Sequence, residues 1–169
     1  MNVLLCVACG RRLAGPVRRL DGMPVRPGPD DPGPDDPGPS GADGPRHGPA
    51  SVPRGTYAVD PLPFGAPFVP YAGDDYDGIV PGGPWLSDER GFLLADGPRG
   101  TYVLHPLDVP DLAPHPDPVR SAGCCGATPY RGPNRLCPCG AEAAVESSEC
   151  TGDWETRLLP DAVRLEAAP

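Results

Sequence analysis

Lysine is absent from this 169-residue chain, and all 14 basic residues are arginine. Together with the many Ala, Gly and Pro residues, that bias matches GC-rich coding and carries no functional message. Aromatic residues make up only 6% and hydrophobic residues 38%, which excludes a large apolar core. A chain that gains so little from burial often needs staples, either disulfides or a metal. No run approaches eighteen consecutive apolar residues, so no membrane-spanning helix is expected. The start, MNVLLCVACGRR, places apolar residues before charges, the reverse of a secretory signal. These absences predict a cytoplasmic protein, where thiols stay reduced and clustered cysteines favour metal over disulfides.

A surplus of positive charge is missing too. The net charge is −9, and an acidic chain repels phosphate backbones, so nucleic-acid binding is disfavoured. The exception is local: residues 1–20 carry four Arg and no acid. That keeps nucleic-acid contact through a basic N-terminal knuckle as a third reading.

What the chain does have is glycine, proline and cysteine. Gly (23) and Pro (28) make up about 30% of residues, a level typical of low-complexity or loop-rich chains. Their density is highest in 27–50, where Pro-Gly-Pro-Asp-Asp recurs every five residues almost without an apolar side chain. Such a segment has nothing to bury and reads as a disordered acidic spacer.

The seven cysteines are clustered. Five fall in Gly123–Cys150; the other two, Cys6 and Cys9, form Cys-x-x-Cys-Gly near the start. Two thiolates at that spacing reach one metal across a tight turn, and the following Gly permits the positive φ such turns need. A thioredoxin-like redox pair expects a helix after the first Cys, and Gly10, Gly15 and Pro16 argue against one. Residues 3–9 read as a strand entering a turn, with Leu13, Val17 and Leu20 on a returning strand.

Further along, Pro53-Arg-Gly-Thr-Tyr57 recurs as Pro98-Arg-Gly-Thr-Tyr102. Each copy reads as a turn followed by a short strand, Thr56–Val59 and Thr101–Leu104, and the two strands can share a sheet. Between them, Phe64, Phe68, Tyr71, Tyr76, Trp85 and Phe92 alternate with turn residues. The acids Asp74, Asp75 and Asp77 lack the spacing of a calcium loop and read as a solvated turn. His105 and His115 stand as reserve metal ligands.

In the cysteine-rich stretch, Tyr130–Asn134 is a turn signal. A hairpin folded there sets Cys125 beside Cys137 and Cys139. Beyond it, Ala141–Glu146 and Trp154–Leu159 read as a strand pair. The expected first-rank metal ligands are therefore Cys125, Cys137, Cys139 and Cys150, with Cys6 and Cys9 second. Neighbours on a strand point to opposite faces, so one of Cys124 and Cys125 is expected to reach the metal; Cys125 is preferred because Gly126 follows it, as Gly follows Cys9 and Cys139. The competing arrangement brings Cys6 and Cys9 to Cys137 and Cys139. Closing that loop of about 130 residues costs only ~1.5 kcal/mol more than a local site, so topology leaves it open.

The order Gly-Cys-Cys-Gly, Gly-Pro-Asn, Cys-x-Cys-Gly and a Cys before a Trp resembles a group of small uncharacterised bacterial proteins over residues 121–165. The resemblance implies a zinc-ribbon-like module and supplies no activity or catalytic residue.

The expected fold is mostly β and loop-rich, a small mixed domain with a zinc-ribbon-like C-terminal hairpin module. Its expected divisions are an N-terminal Cys-x-x-Cys knuckle (1–22), a disordered acidic spacer (23–50), an irregular β region with the echoed strand (51–120) and the zinc-ribbon-like module (121–169). The expected function is structural zinc binding in a binding or adaptor protein with an unidentified protein partner. The alternative is a zinc- or thiol-dependent enzyme. That would require a carboxylate or His beside the metal, or a Cys at a helix N-terminus, and neither pattern is present.

Overall fold

The computed structural model describes residues 1–25, 47–75, 77, 80, 87–150 and 152–169. The repeated Pro-Gly-Pro-Asp-Asp segment, Tyr76 and Trp85 lie outside them. The described chain is mostly β and rich in loops, as its turn-residue content predicts.

Among the described residues, twelve strands form in chain order: β1 (Asn2–Cys6), β2 (Arg12–Arg19), β3 (Thr56–Asp60), β4 (Phe68–Pro70), β5 (Ser87–Asp88), β6 (Gly91–Ala95), β7 (Thr101–Leu104), β8 (Ala113–Pro114), β9 (Arg135–Leu136), β10 (Glu142–Ser147), β11 (Glu155–Leu158) and β12 (Val163–Ala167). Nine build one sheet in the order β12-β1-β2-β3-β7-β11-β10-β9-β8, and β4-β6-β5 make a small second sheet. The large sheet runs across the expected boundaries near residues 22, 50 and 120, because β12 pairs with β1 and β11 with β7.

The echoed motif has a structural meaning. Its two strands, β3 and β7, pair antiparallel with Tyr57 opposite Leu104 and Ala58 opposite Val103. Successive residues face opposite sides of a strand. Tyr57 and Leu104 accordingly enter the main core, while Ala58 and Val103 pack with Val52 on the other face.

The main core draws Leu4 and Cys6 from β1, Leu13 and Val17 from β2, Leu158 from β11, Ala144 from β10 and Val163 from β12. Residues from almost the whole width of the sheet thus meet in one cluster, which requires the sheet to curl around it. The strands β1 and β10 are five ladder steps apart, about 24 Å in a flat sheet. Yet Cys6 Sγ lies 3.9 Å from Cys139 Sγ, just before β10.

Two polar networks hold this curl. On the side of Ala58 and Val103, buried Arg157 of β11 donates to Asp60 of β3 at 2.6 Å and to Glu155 at 2.5 Å. The Phe64 ring covers its guanidinium at 3.7 Å. Burial works against the charge, but Glu155 and Asp60 outweigh it and raise the Arg157 pKa. The second network centres on Asn134, which is fully buried. Its side chain donates to Thr128 O (3.1 Å) and Glu146 O (2.9 Å) and accepts from Glu146 N (2.7 Å).

That last network explains a difference from the expected hairpin. The Tyr130–Asn134 turn forms, with Gly132 at φ 82°, but Asn134 anchors the chain to Glu146. The residues after it, β9, therefore pair with β8 and β10. No strand is formed by 121–130, so Cys124 and Cys125 are not carried across to Cys137 and Cys139 by a strand pair. The later pair, β10 with β11, forms as expected.

Candidate metal centre

Each of two tight turns carries two cysteines. The first joins β1 to β2 and holds Cys6 and Cys9; the second joins β9 to β10 and holds Cys137 and Cys139. Their backbones follow one scheme. In the first, Cys6 N–H donates to Arg11 O and Gly10 N–H to Cys6 O, both at 2.8 Å. In the second, Cys137 N–H donates to Ala141 O (2.9 Å) and Gly140 N–H to Cys137 O (2.8 Å). Gly10 and Gly140 complete these turns at φ 73° and 91°, where L side chains are strained. The second turn is one residue shorter, with Pro138 in place of Val7-Ala8.

The turns face each other as approximate copies. In each, the first cysteine is buried and the second exposed. The buried thiol of one meets the exposed thiol of the other: Cys6 with Cys139 at 3.9 Å and Cys9 with Cys137 at 3.6 Å. All four sulfurs lie within 4.8 Å of one another. A tetrahedral ion with metal–sulfur bonds of about 2.3 Å needs sulfurs about 3.8 Å apart. The two cross-turn distances match that edge, so the group could hold a metal ion.

The electrostatics are polarised across the group. Burial, followed by its thiol neighbours, pushes the Cys137 thiol up to about 12, although a Cys139 amide bond opposes this. Cys139 moves the other way, to about 7, chiefly because the Ala141 amide N–H points at its sulfur and then because Cys137 and Cys9 donate to it. In the metal-free protein the negative charge therefore settles first on Cys139, beside solvent, while Cys137 keeps its proton.

The remaining cysteines form a second, wholly exposed group of Cys124, Cys125 and Cys150, again within 4.8 Å. The expected first-rank set is thus divided: Cys137 and Cys139 stand with Cys6 and Cys9, and Cys125 and Cys150 stand with Cys124. The expectation that one of the two cysteines faces away assumes a strand, and this segment is a series of bends that turns both thiols to one side. Cys124 was legible in another way, since Gly123 and Gly126 flank both cysteines. The matching turns at the first site carried a signal too, in the Gly that follows Cys9 and Cys139.

Neither reserve histidine joins a cysteine group. His105 is fully buried, accepts from Leu107 N–H at 3.1 Å and meets the Trp154 ring edge-on. His115 accepts from Asp117 N–H and lies 3.5 Å from Glu142. Among the described residues, both ligand-like groups consist of cysteine alone, and no helix is long and apolar enough to cross a membrane.

Comparison with protein-family models, curated proteins and solved structures finds no match to this chain.

Proposed function

We propose that this chain is a zinc-binding protein whose metal is structural, held by Cys6, Cys9, Cys137 and Cys139. One observation carries the reading: four sulfurs from two matching turns, separated by 128 to 133 residues, converge within 4.8 Å of one another, and the two cross-turn pairs sit at 3.9 and 3.6 Å. Structural zinc sites are closed by four Cys or Cys/His ligands, whereas catalytic sites keep a position for water. A four-thiolate set leaves no such position, and it supplies no carboxylate or imidazole base. Zinc fits the set better than calcium or magnesium, because soft thiolates reject hard oxygen-seeking cations.

In this reading the ion clamps the β1–β2 turn to the β9–β10 turn and locks the curled sheet. The ribbon-like unit is thus assembled from both ends of the chain. The role is that of a binding or adaptor protein acting on a protein partner in a reducing compartment such as the cytoplasm. The purified full-length chain should carry zinc that resists a competing chelator. Cys6→Ser, Cys9→Ser, Cys137→Ser and Cys139→Ser should each release it. Retention of that zinc in all four variants overturns the reading.

A further inference from the structure

We propose that Cys124, Cys125 and Cys150 form a second metal site, one that takes an exchangeable thiophilic cation of the zinc type with water in the fourth position. The sulfurs already sit at ligand spacing, Cys124 to Cys125 at 3.4 Å and Cys124 to Cys150 at 4.0 Å. These values bracket the edge of about 3.8 Å set by metal–thiolate bonds of about 2.3 Å.

The site is shaped by backbone contact as well as by the cysteines. Two loops, 123–127 and 148–150, are pressed together, with Ser148 N–H donating to Ala127 O at 3.0 Å and Ala127 N–H to Ser148 Oγ at 2.9 Å. A Cβ at Gly126 would lie 2.0 Å from the main-chain oxygen of Ser148, and one at Gly123 would lie 2.4 Å from the main-chain oxygen of Gly126. Only glycine permits this approach. Glu149 in turn accepts the Cys124 N–H at 2.7 Å, and Cys150 N–H donates to Cys125 Sγ at 2.9 Å. An amide directed at sulfur favours the thiolate, the form that binds metal.

All three thiols are exposed and none belongs to the apolar core. Three bonds and open access make the ion at this site replaceable, whereas the four-thiolate site is half buried and closed. Soft thiolate donors select zinc or copper(I) over hard cations. The acidic neighbour Glu149 adds to the negative field and favours the divalent ion.

The test uses the full-length chain, fully reduced, titrated with zinc and then challenged with a chelator. Two equivalents should bind, one surviving the challenge and one leaving rapidly. Cys124→Ser, Cys125→Ser and Cys150→Ser should each cut the stoichiometry from two to one and spare the resistant equivalent. Cobalt(II) loaded in place of zinc should show thiolate charge-transfer absorption from both sites, and the triple Ser variant should lose the share of three thiolates. The four-thiolate reading fails separately, through loss of the resistant ion. This proposal is overturned if wild type binds a single equivalent that the triple Ser variant retains, or if a second equivalent persists in that variant. A Gly126→Val variant checks the cradle, and its unaltered second equivalent would also count against the proposal.

Discussion

Cys9→Ser isolates the proposed metal clamp from the core. Cys9 is exposed, while its partners Cys6 and Cys137 are buried, so the substitution removes a ligand without opening a cavity. Surface changes of this kind otherwise alter stability by about 0.5 kcal/mol or less. What is lost is a cross-link between turns 128 residues apart. The chain-entropy treatment of a cross-link that closes such a loop gives about 5 kcal/mol at 25 °C. For a domain of this size each kcal/mol moves the melting temperature by about 2–4 °C, so Cys9→Ser should melt about 10–20 °C below wild type. Wild type stripped of metal should melt at the same temperature as the variant, since both lack the same link. Thermal melts followed by circular dichroism, with and without chelator, measure this directly. The reasoning is refuted if Cys9→Ser melts within two or three degrees of the metal-loaded wild type (a margin of about 1 kcal/mol). It is refuted equally if Cys125→Ser proves the more damaging change.

Other expectations concern the rest of the framework. Asn134→Ala leaves Thr128 O and both main-chain groups of Glu146 without their buried partner, and should cost about 2–4 kcal/mol in chemical denaturation. Arg157→Met strands Glu155 and Asp60, a loss of about 3–5 kcal/mol; adding Glu155→Gln should recover part of it in a double-mutant cycle. Zinc uptake should release protons near neutral pH, because the Cys137 thiol, held up to about 12, must ionise to bind. Apparent affinity should therefore fall as pH drops, and a calorimetric titration in buffers of different ionisation enthalpy should detect the released protons. In the metal-free protein the sign reverses for that group. A thiol whose folded pKa lies above its ordinary value of 9.0 gives stability that is present below that value and lost above it. The stripped protein should weaken between about pH 9 and 12, as alkaline melts would show.

Much of the local structure could be read from residue order. The two short Thr-Tyr strands, the Cys-x-x-Cys-Gly turn and the β10–β11 pair all depend on neighbours within a few positions, where β-branched residues, glycine and proline act directly. The pairing of cysteines depends on contacts far apart in the chain. Cys6 reaches Cys139 only because β12 joins β1, and because Asn134 ties its segment to Glu146 rather than to the stretch before Tyr130. A turn signal shows that the chain bends without naming the strand that receives it. The adjacent pair Cys124-Cys125 shows the same gap: alternation holds on a strand, and two close backbone approaches at Gly123 and Gly126 make this segment something else.

The β1–β12 ladder has a mechanical consequence. It begins with Asn2 opposite Ala167 and ends with Cys6 opposite Val163, so the two ends of the chain leave from one end of an antiparallel pair. Tension applied through both ends would load these hydrogen bonds one at a time, as in a zipper, and zippers open at low force. The unzipping would travel four residues from Asn2 and arrive at Cys6, whose sulfur faces Cys139 across the proposed metal site. With an ion there, the tear would stop against metal–thiolate bonds; without one, it would run on into β2. Resistance to pulling would then be switched by metal supply, through a site at the far end of the first ladder to open.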